Sequence, residues 1–260
     1  MTGVRDRLKT VDRFVRGLTI VRSGDPLSRY EAGKYCPAVL GLSERVNVQI
    51  TARMRAVAAA AGIVPAGTKC VPSALVIFAE DKNRFLDAFR KQHPVYFNDF
   101  QGQEELPHPE KGSAIAWHLV QLLDPQGNPV QRDPSGFGVV ESSAGGSRLR
   151  SMVQPVVVMA VVVVERKALI GLNTIQVADY AVMRTLTDRA PDPAKVSRQI
   201  TILNALTAPM GTAVPASLTK WDLAYLKGRY SGDPRRYGES QSAGIRSSVR
   251  RATESQPDKN

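Results

Sequence analysis

The sequence predicts an α+β fold, in which helices pack on a twisted sheet to form a single mixed α/β domain. Residues 156–164 form a wholly apolar, β-branched run that stops at Glu165, which is typical of a strand buried on both faces. Residues 173–187 and 43–61 each repeat apolar side chains at spacings of three and four, which is typical of a helix with one buried face. The chain has no internal repeat and no linker-like composition before residue 231, so one shared core is expected.

The N-terminal half begins with charged residues and continues into alternating elements. Residues 1–17 are expected to form a flexible basic N-terminus, and residues 18–22 a short strand. The helix at 43–61 has Ser43 as its N-cap and Gly62 as its stop signal. This first helix is the best-marked element before the apolar run.

Three further elements precede the apolar run. Residues 73–79 are expected to form a second buried strand, and Asp81 then caps a short helix that ends at a His-Pro pair. Residues 114–123 are expected to form a third strand, which stops at a run of turn residues. The polar stretches 94–112 and 135–151 are expected to be loops.

The C-terminal part is expected to end in a well-marked helix and a tail. Thr219 and Asp222 have the spacing of a capping box, which predicts the start of the last helix. After Ser231 the composition turns to Ser, Arg, Gly and Gln, with little to bury, so residues 231–260 are predicted to be a disordered tail. The single domain is therefore expected to span residues 18–230.

The chain is basic, with 35 Lys and Arg against 24 Asp and Glu and a net charge of +11. The charges are scattered, which favours a solvated basic surface over a nucleic-acid site. The alternative is a basic nucleic-acid-associated module whose phosphate contacts are the arginines of the tail, namely Arg235, Arg236, Arg246, Arg250 and Arg251. The apolar run is too short for a membrane span, which takes about 20 residues.

The two cysteines, Cys36 and Cys70, leave two readings open. They bracket one predicted helix, so they would pair in a fold that brings their ends together, but only in an oxidising compartment. Alternatively, they are small core residues of a cytoplasmic protein. Residues 1–17 are charged throughout and contain no apolar signal-peptide core, so either the protein is cytoplasmic or Met1 is not its true start.

The sequence contains no pattern from which a metal or nucleotide site could be built. His93 and His108 each precede a proline in a predicted loop, and His118 lies in a strand, where a half-buried histidine is expected. The His-Glu-x-x-His, Cys-x-x-Cys, phosphate-loop, dinucleotide and Gly-x-Ser-x-Gly patterns are all absent. No metal and no cofactor are therefore expected.

One acidic residue falls inside the apolar stripe of the helix at 173–187. Asp179 lies on the same helical face as Ala178 and Val182. A carboxylate that faces a core must be paired, hydrogen-bonded or protonated. Asp179 therefore either binds an arginine or loop amides, which is the favoured reading, or serves as a catalytic acid or base in a cleft.

The order of buried strand, helix, turn and capped helix resembles the zincin-type metallopeptidases, particularly their matrixin-like branch. In the helix, Ala178 and Val182 stand where those enzymes have two zinc-binding histidines, and Asp179 stands where they have the glutamate. Residues 201–206 resemble the turn segment without its methionine, and residues 218–230 resemble the final helix. The resemblance implies a zincin-like topology that has lost its zinc ligands and hence the metal-dependent activity.

The chain also resembles a family of uncharacterised bacterial envelope proteins. Two cysteines flanking an early helix and the segment Leu-Thr-x-x-Asp-Leu-Ala-Tyr-Leu carry this second resemblance. It implies a Cys36–Cys70 disulfide and a periplasmic or secreted location, with a cytoplasmic location as the alternative.

Together these observations predict a non-enzymatic binding or envelope-associated protein on a zincin-like scaffold. Its partner is expected to be a protein or peptide. The first alternative is a metal-independent hydrolase that uses Asp179, and the second is the basic nucleic-acid-associated module.

Overall fold

The computed structural model of the chain describes residues 2–22, 24–97, 112–132, 138–139, 147, 149–190, 192, 194–197, 199–209 and 211–254. The strands in these ranges are β1 (Pro37–Leu40), β2 (Ala74–Ala79), β3 (Ala114–Leu123), β4 (Gln131–Arg132), β5 (Gly138–Val139) and β6 (Gln154–Glu165). The α-helices are α1 (Thr2–Leu18), α2 (Glu44–Ala60), α3 (Lys82–Gln92), α4 (Thr174–Leu186), α5 (Lys220–Tyr230) and α6 (Gly238–Glu254). None of these helices combines the length and the apolar character needed to cross a bilayer.

Four strands form one mixed sheet in the order β1-β2-β6-β3, which confirms the predicted α+β class. Strands β1, β2 and β6 run parallel, whereas β3 pairs antiparallel with β6 at the edge of the sheet. Strands β4 and β5 form a separate two-stranded ribbon. The apolar run therefore occupies an inner strand with a neighbour on each side.

Strand β6 is apolar throughout because it packs into a core on each face of the sheet. Side chains alternate between the two faces of a strand. Val162 and Val164 belong to the main core, which lies between the sheet and helices α1, α2, α4, α5 and α6. Val161 and Val163 belong to a second core, where α3 and the aromatic residues that follow it cover the other face. All four valines are at most 1% exposed, as the sequence predicts.

The predicted elements of the middle of the chain are confirmed as β2, β3, β6, α2, α3, α4 and α5. The capping box of Thr219 and Asp222 is present at the start of α5, and Asn173 forms a second one at the start of α4. The predicted strand at 18–22 is wrong, because Leu18 completes the buried stripe of a helix. Strand β1 is four residues long and was not predicted.

The predicted flexible N-terminus is replaced by helix α1. Its apolar face is formed by Val11, Phe14, Val15 and Leu18, which are 0–3% exposed. The ring of Phe14 makes edge contacts with Trp221 and Tyr225 of α5, at centroid distances of 5.4 and 6.0 Å. Most charged residues of this segment, among them Arg5, Lys9 and Arg13, occupy the opposite face, whereas the half-buried Arg7 borders the apolar stripe. The helix therefore packs despite its low apolar content.

The predicted disordered tail is likewise a packed helix up to residue 254. Helix α6 buries Ile245 and Val249 completely against α1 and α5. It lies so close to α5 that a Cβ added at Gly228 would stand 2.9 Å from the Cα of Ile245. The hydroxyl of Ser248 donates to the carbonyl of Ala224 at 2.8 Å. A few apolar residues suffice here because the small residues Gly228 and Ser248 allow the two helices to approach closely. Residues 255–260 lie outside the described residues.

The predicted disulfide between Cys36 and Cys70 is confirmed, with the two Cα atoms 6.1 Å apart. It ties the start of β1 to the loop that precedes β2. Tyr35, which is fully buried, places its hydroxyl 2.9 Å from that of Thr185 on α4. The disulfide therefore adds a covalent bond at a point where the edge strand is joined to the main core.

Candidate functional site

Asp179 lies on α4 with its side chain fully buried, and its charge is compensated by one arginine and one backbone N–H. The carboxylate accepts hydrogen bonds from Arg53 of α2, with distances of 2.8 Å from Nε and 3.0 Å from Nη2. Its Oδ2 also accepts a bond from the backbone N–H of Leu218 at 2.6 Å. The hydrogen bonds to Asp179 raise the pKa of Arg53 above its ordinary value. Asp179 thus has the arginine and the loop amide that its structural role requires.

The two members of this ion pair differ in their access to solvent. The side chain of Asp179 is 0% exposed and that of Arg53 is 39% exposed. A general base must reach the proton that it removes directly or through one water. Here both carboxylate oxygens accept hydrogen bonds, from the Arg53 guanidinium group and from the Leu218 backbone N–H, and the side chain has no exposed surface.

The two α4 positions at which the sequence resemblance would place zinc-binding histidines are part of the main core. Ala178 and Val182 are both 0% exposed and pack among the apolar residues of that core. Across the described residues, no three or more His, Cys, Asp or Glu side chains come together in a group that could hold a metal ion. At these two positions α4 contributes packing.

Neither of the two histidines among the described residues, His93 and His118, hydrogen-bonds to Asp179. His93 is exposed at the end of α3, with its ring 5.3 Å from that of Phe89. His118, on β3, is half-buried, as predicted, and its Nε2 lies 3.2 Å from the carbonyl oxygen of Thr185. Burial lowers the pKa of His118 to about 4. His108 lies outside the described residues.

A second buried carboxylate, Asp222, holds the elements behind α4 together. Its Oδ2 accepts from the backbone N–H groups of Ile202 (3.0 Å) and Thr219 (3.1 Å) and from the Thr219 hydroxyl (3.0 Å). Its Oδ1 is buried without a hydrogen-bond partner among the described residues. Burial raises the pKa of Asp222 to about 6. The carboxyl group thus connects α5 to the 3₁₀ helix Ile202–Thr207, which packs against α4.

The pKa shifts of Asp222 and His118 predict opposite dependences of stability on pH. The pKa of Asp222 rises from 3.8 to about 6 on folding, so its contribution is full below pH 4 and is lost as the pH rises to 6. The pKa of His118 falls from 6.5 to about 4, so its contribution is full above pH 6.5 and is lost as the pH falls to 4. Over its pH range, each group changes the free energy of unfolding by about 3 kcal/mol at most.

Urea denaturation of two variants, at steps between about pH 4 and pH 7, separates these contributions. The free energy of unfolding of Asp222→Asn should rise with pH, because the pH dependence contributed by His118 remains. The free energy of unfolding of His118→Gln should fall with pH, because the pH dependence contributed by Asp222 remains. The wild type should change less than either variant, and parallel slopes in the two variants would contradict the prediction.

A cluster of charges beyond the carboxyl ends of β2 and β6 was missed in the sequence. Glu165 is 9% exposed; it accepts from the backbone N–H of Lys82 at 3.2 Å and pairs with Lys167 at 3.0 Å. Hydrogen bonding to Lys167 lowers the pKa of Glu165. Lys82, itself 6% exposed, donates from Nζ to the carbonyl of Gly112 at 2.7 Å. The signal in the sequence that could have predicted this cluster is the presence of charged residues directly after two buried strands. These contacts fix the start of α3, which is a structural role.

A buried ion pair joins α5 to the segment that follows α4. Arg229 donates to Asp188 at 2.6 and 3.1 Å and to the carbonyl of Ser28 at 2.6 Å. Asp188 also accepts from the backbone N–H of Ile20 at 2.8 Å. Both charged side chains are at most 10% exposed. This pair connects the residues after α1 to α5.

The tail arginines are not a flexible arm. Arg246 and Arg250 belong to α6, where Arg250 lies 3.6 Å from Glu254 and Arg246 lies 3.9 Å from Asp12 of α1. Arg251, next along the helix, points about 100° away from Arg250. Arg235 and Arg236 precede the helix. Arg250 and Arg251 therefore lie on different faces of α6.

Comparison of this chain with protein-family models, with curated proteins and with solved structures gives no match in any of the three.

Proposed function

We propose that this protein is a non-enzymatic binding protein of the periplasm or the extracellular side of the envelope, built on a zincin-like scaffold. The observation that carries the proposal is the environment of Asp179, the one acidic residue of the candidate helix. Its carboxylate is fully buried and accepts three hydrogen bonds from Arg53 and Leu218. A carboxylate held in this way stabilises the fold.

The neighbouring positions support the same conclusion. Ala178 and Val182 provide apolar surface to the core in place of metal-binding groups. The segments that resemble the zincin turn and final helix are joined through Asp222. A scaffold whose packing elements are kept beside apolar residues at the ligand positions is suited to presenting a binding surface for a protein or peptide.

The disulfide supports the proposed compartment. Disulfides persist in oxidising environments and are rare in the cytoplasm of mesophiles. Both cysteines of the chain are paired in the Cys36–Cys70 bond.

The variant Asp179→Asn tests the non-enzymatic part of the proposal. Wild type, this variant and the control Asp87→Asn, an exposed carboxylate of α3, are assayed on peptide, ester and glycoside substrates. We expect no turnover above background in any of them, and a lower free energy of unfolding for Asp179→Asn alone. Turnover that is lost in a folded Asp179→Asn protein, and kept in the control, would establish the hydrolase instead.

The thiol state in cells tests the proposed compartment. Cells that make the protein from its native gene are quenched with acid and labelled with a thiol-reactive polymer before and after reduction. We expect no labelled cysteine before reduction and two afterwards. Two labelled cysteines before reduction would place the protein in a reducing compartment and overturn this part of the proposal.

A further inference from the structure

Helix α1 carries a row of basic side chains along its outer face. Arg5, Lys9, Arg13 and Arg16 are exposed. At 100° per residue they fall within about 80° of the helix circumference, and at 1.5 Å per residue they extend over about 17 Å. We refer to these four residues as the basic stripe.

The basic stripe is held in a fixed position by the opposite face of the same helix. Phe14, Val15 and Leu18 are 0% exposed and anchor α1 in the main core. The four cations are therefore presented on the surface of the folded domain, without a flexible linker.

The charge of the basic stripe is only partly compensated. Arg16 pairs with Asp12 of the same helix at 2.9 Å, with exposed fractions of 73% and 39%. No carboxylate of the described residues forms an ion pair with Arg5, Lys9 or Arg13, although the exposed Asp6 lies at one border of the stripe. Arg246 of α6 also lies 3.9 Å from Asp12, so this one carboxylate faces two arginines.

Apolar side chains accompany this charge. Leu8, on the flank of the basic stripe, is 44% exposed. Ile20 and Val21, directly after the end of α1, are 42% and 38% exposed. Basic side chains beside exposed apolar ones are the combination by which peripheral proteins attach to the interface of an anionic bilayer.

We propose that the basic stripe docks the protein on an anionic phospholipid surface. A helix that is embedded in the domain by one face presents a shallow row of cations, which suits a planar surface better than the groove of a nucleic acid. The choice of lipid over nucleic acid rests on the proposed function, because it takes the protein to be envelope-associated. Each basic side chain close to such a surface strengthens binding about fivefold.

Vesicle binding by the full chain tests the docking surface. The protein is sedimented with vesicles of phosphatidylcholine containing about 30 mol % phosphatidylglycerol, and with vesicles of phosphatidylcholine alone, at about 0.1 M salt. We expect binding to the anionic vesicles only. The variant Lys9→Gln/Arg13→Gln should bind about 25-fold more weakly. Both positions are exposed, and glutamine is compatible with a helix, so the fold should persist.

The control is Arg84→Gln/Lys91→Gln, which removes the same charge from exposed positions of α3 on the other face of the sheet. It should bind within about threefold of the wild type, because the removed charges lie away from the bilayer. An equal loss of vesicle binding in both double variants would show that only the net charge of the protein matters, and would overturn the docking surface. Tighter binding to a DNA duplex than to the vesicles at the same salt, weakened by the Lys9→Gln/Arg13→Gln variant, would also overturn it.

The two proposals fail in different ways. Reduced cysteines in cells together with intact vesicle binding would remove the proposed compartment and leave the docking surface. Oxidised cysteines together with absent vesicle binding would remove the docking surface and leave the proposed function.

Discussion

Replacing Arg53 by methionine is expected to lower the free energy of unfolding by about 3 kcal/mol. The substitution leaves the carboxylate of Asp179, which is 0% exposed, with the backbone N–H of Leu218 as its remaining partner. Removing one member of a buried pair is costly because the other charge stays buried without compensation. Arg53 is 39% exposed, so water can enter in its place, and the loss falls at the lower end of the range for buried pairs.

Denaturant unfolding at neutral pH measures this loss. The control is Arg45→Met, an exposed arginine of the same helix, which should change stability by at most about 0.5 kcal/mol. The double variant with Asp179→Asn should be more stable than the sum of the single losses predicts, because it leaves no buried charge. Additive losses would show that Arg53 and Asp179 contribute independently, in conflict with the bidentate contact.

Removing the disulfide by changing Cys36 and Cys70 to alanine is expected to destabilise the oxidised protein by about 4 kcal/mol. The two cysteines are 34 residues apart, so the bond restricts a long loop in the unfolded chain. Strand β1 is four residues long and lies at the edge of the sheet beside β2, so the bond also secures a short edge element.

The wild type under reducing conditions is the internal comparison for this prediction. Reduced wild type and the double variant should unfold at the same denaturant concentration, and oxidised wild type at a clearly higher one. A difference below about 1 kcal/mol between oxidised and reduced protein would show that native packing alone holds β1 in place.

The fold was predictable where a pattern repeats locally. The helical spacing of α2 and α4 and the apolar run of β6 were correctly interpreted, because periodicity and caps act within a few residues. Helix α1 was missed because its frequent charges obscured an apolar stripe of four residues. Helix α6 was missed because its stability comes from close packing against Gly228, a contact that no local pattern contains.

The candidate site was predictable to a similar extent. The sequence showed that Asp179 lies in an apolar stripe and that its charge needs a partner. It could not show that the partner is Arg53, which lies 126 residues away on another helix. The hydrogen bond from the backbone N–H of Lys82 to Glu165 was missed for the same reason, since 83 residues separate the two.

By itself, the sequence determined the α+β class, the inner position of the valine-rich strand and the boundaries of the capped helices. These features depend on interactions between residues that are close in the chain, and such interactions leave a period or a cap in the sequence. The tertiary structure alone decided the order of the strands, the packing of both terminal helices and the partners of Asp179 and Asp222. Those outcomes depend on which distant groups must neutralise a buried charge or fill a gap between helices, and this is settled only when the chain has folded.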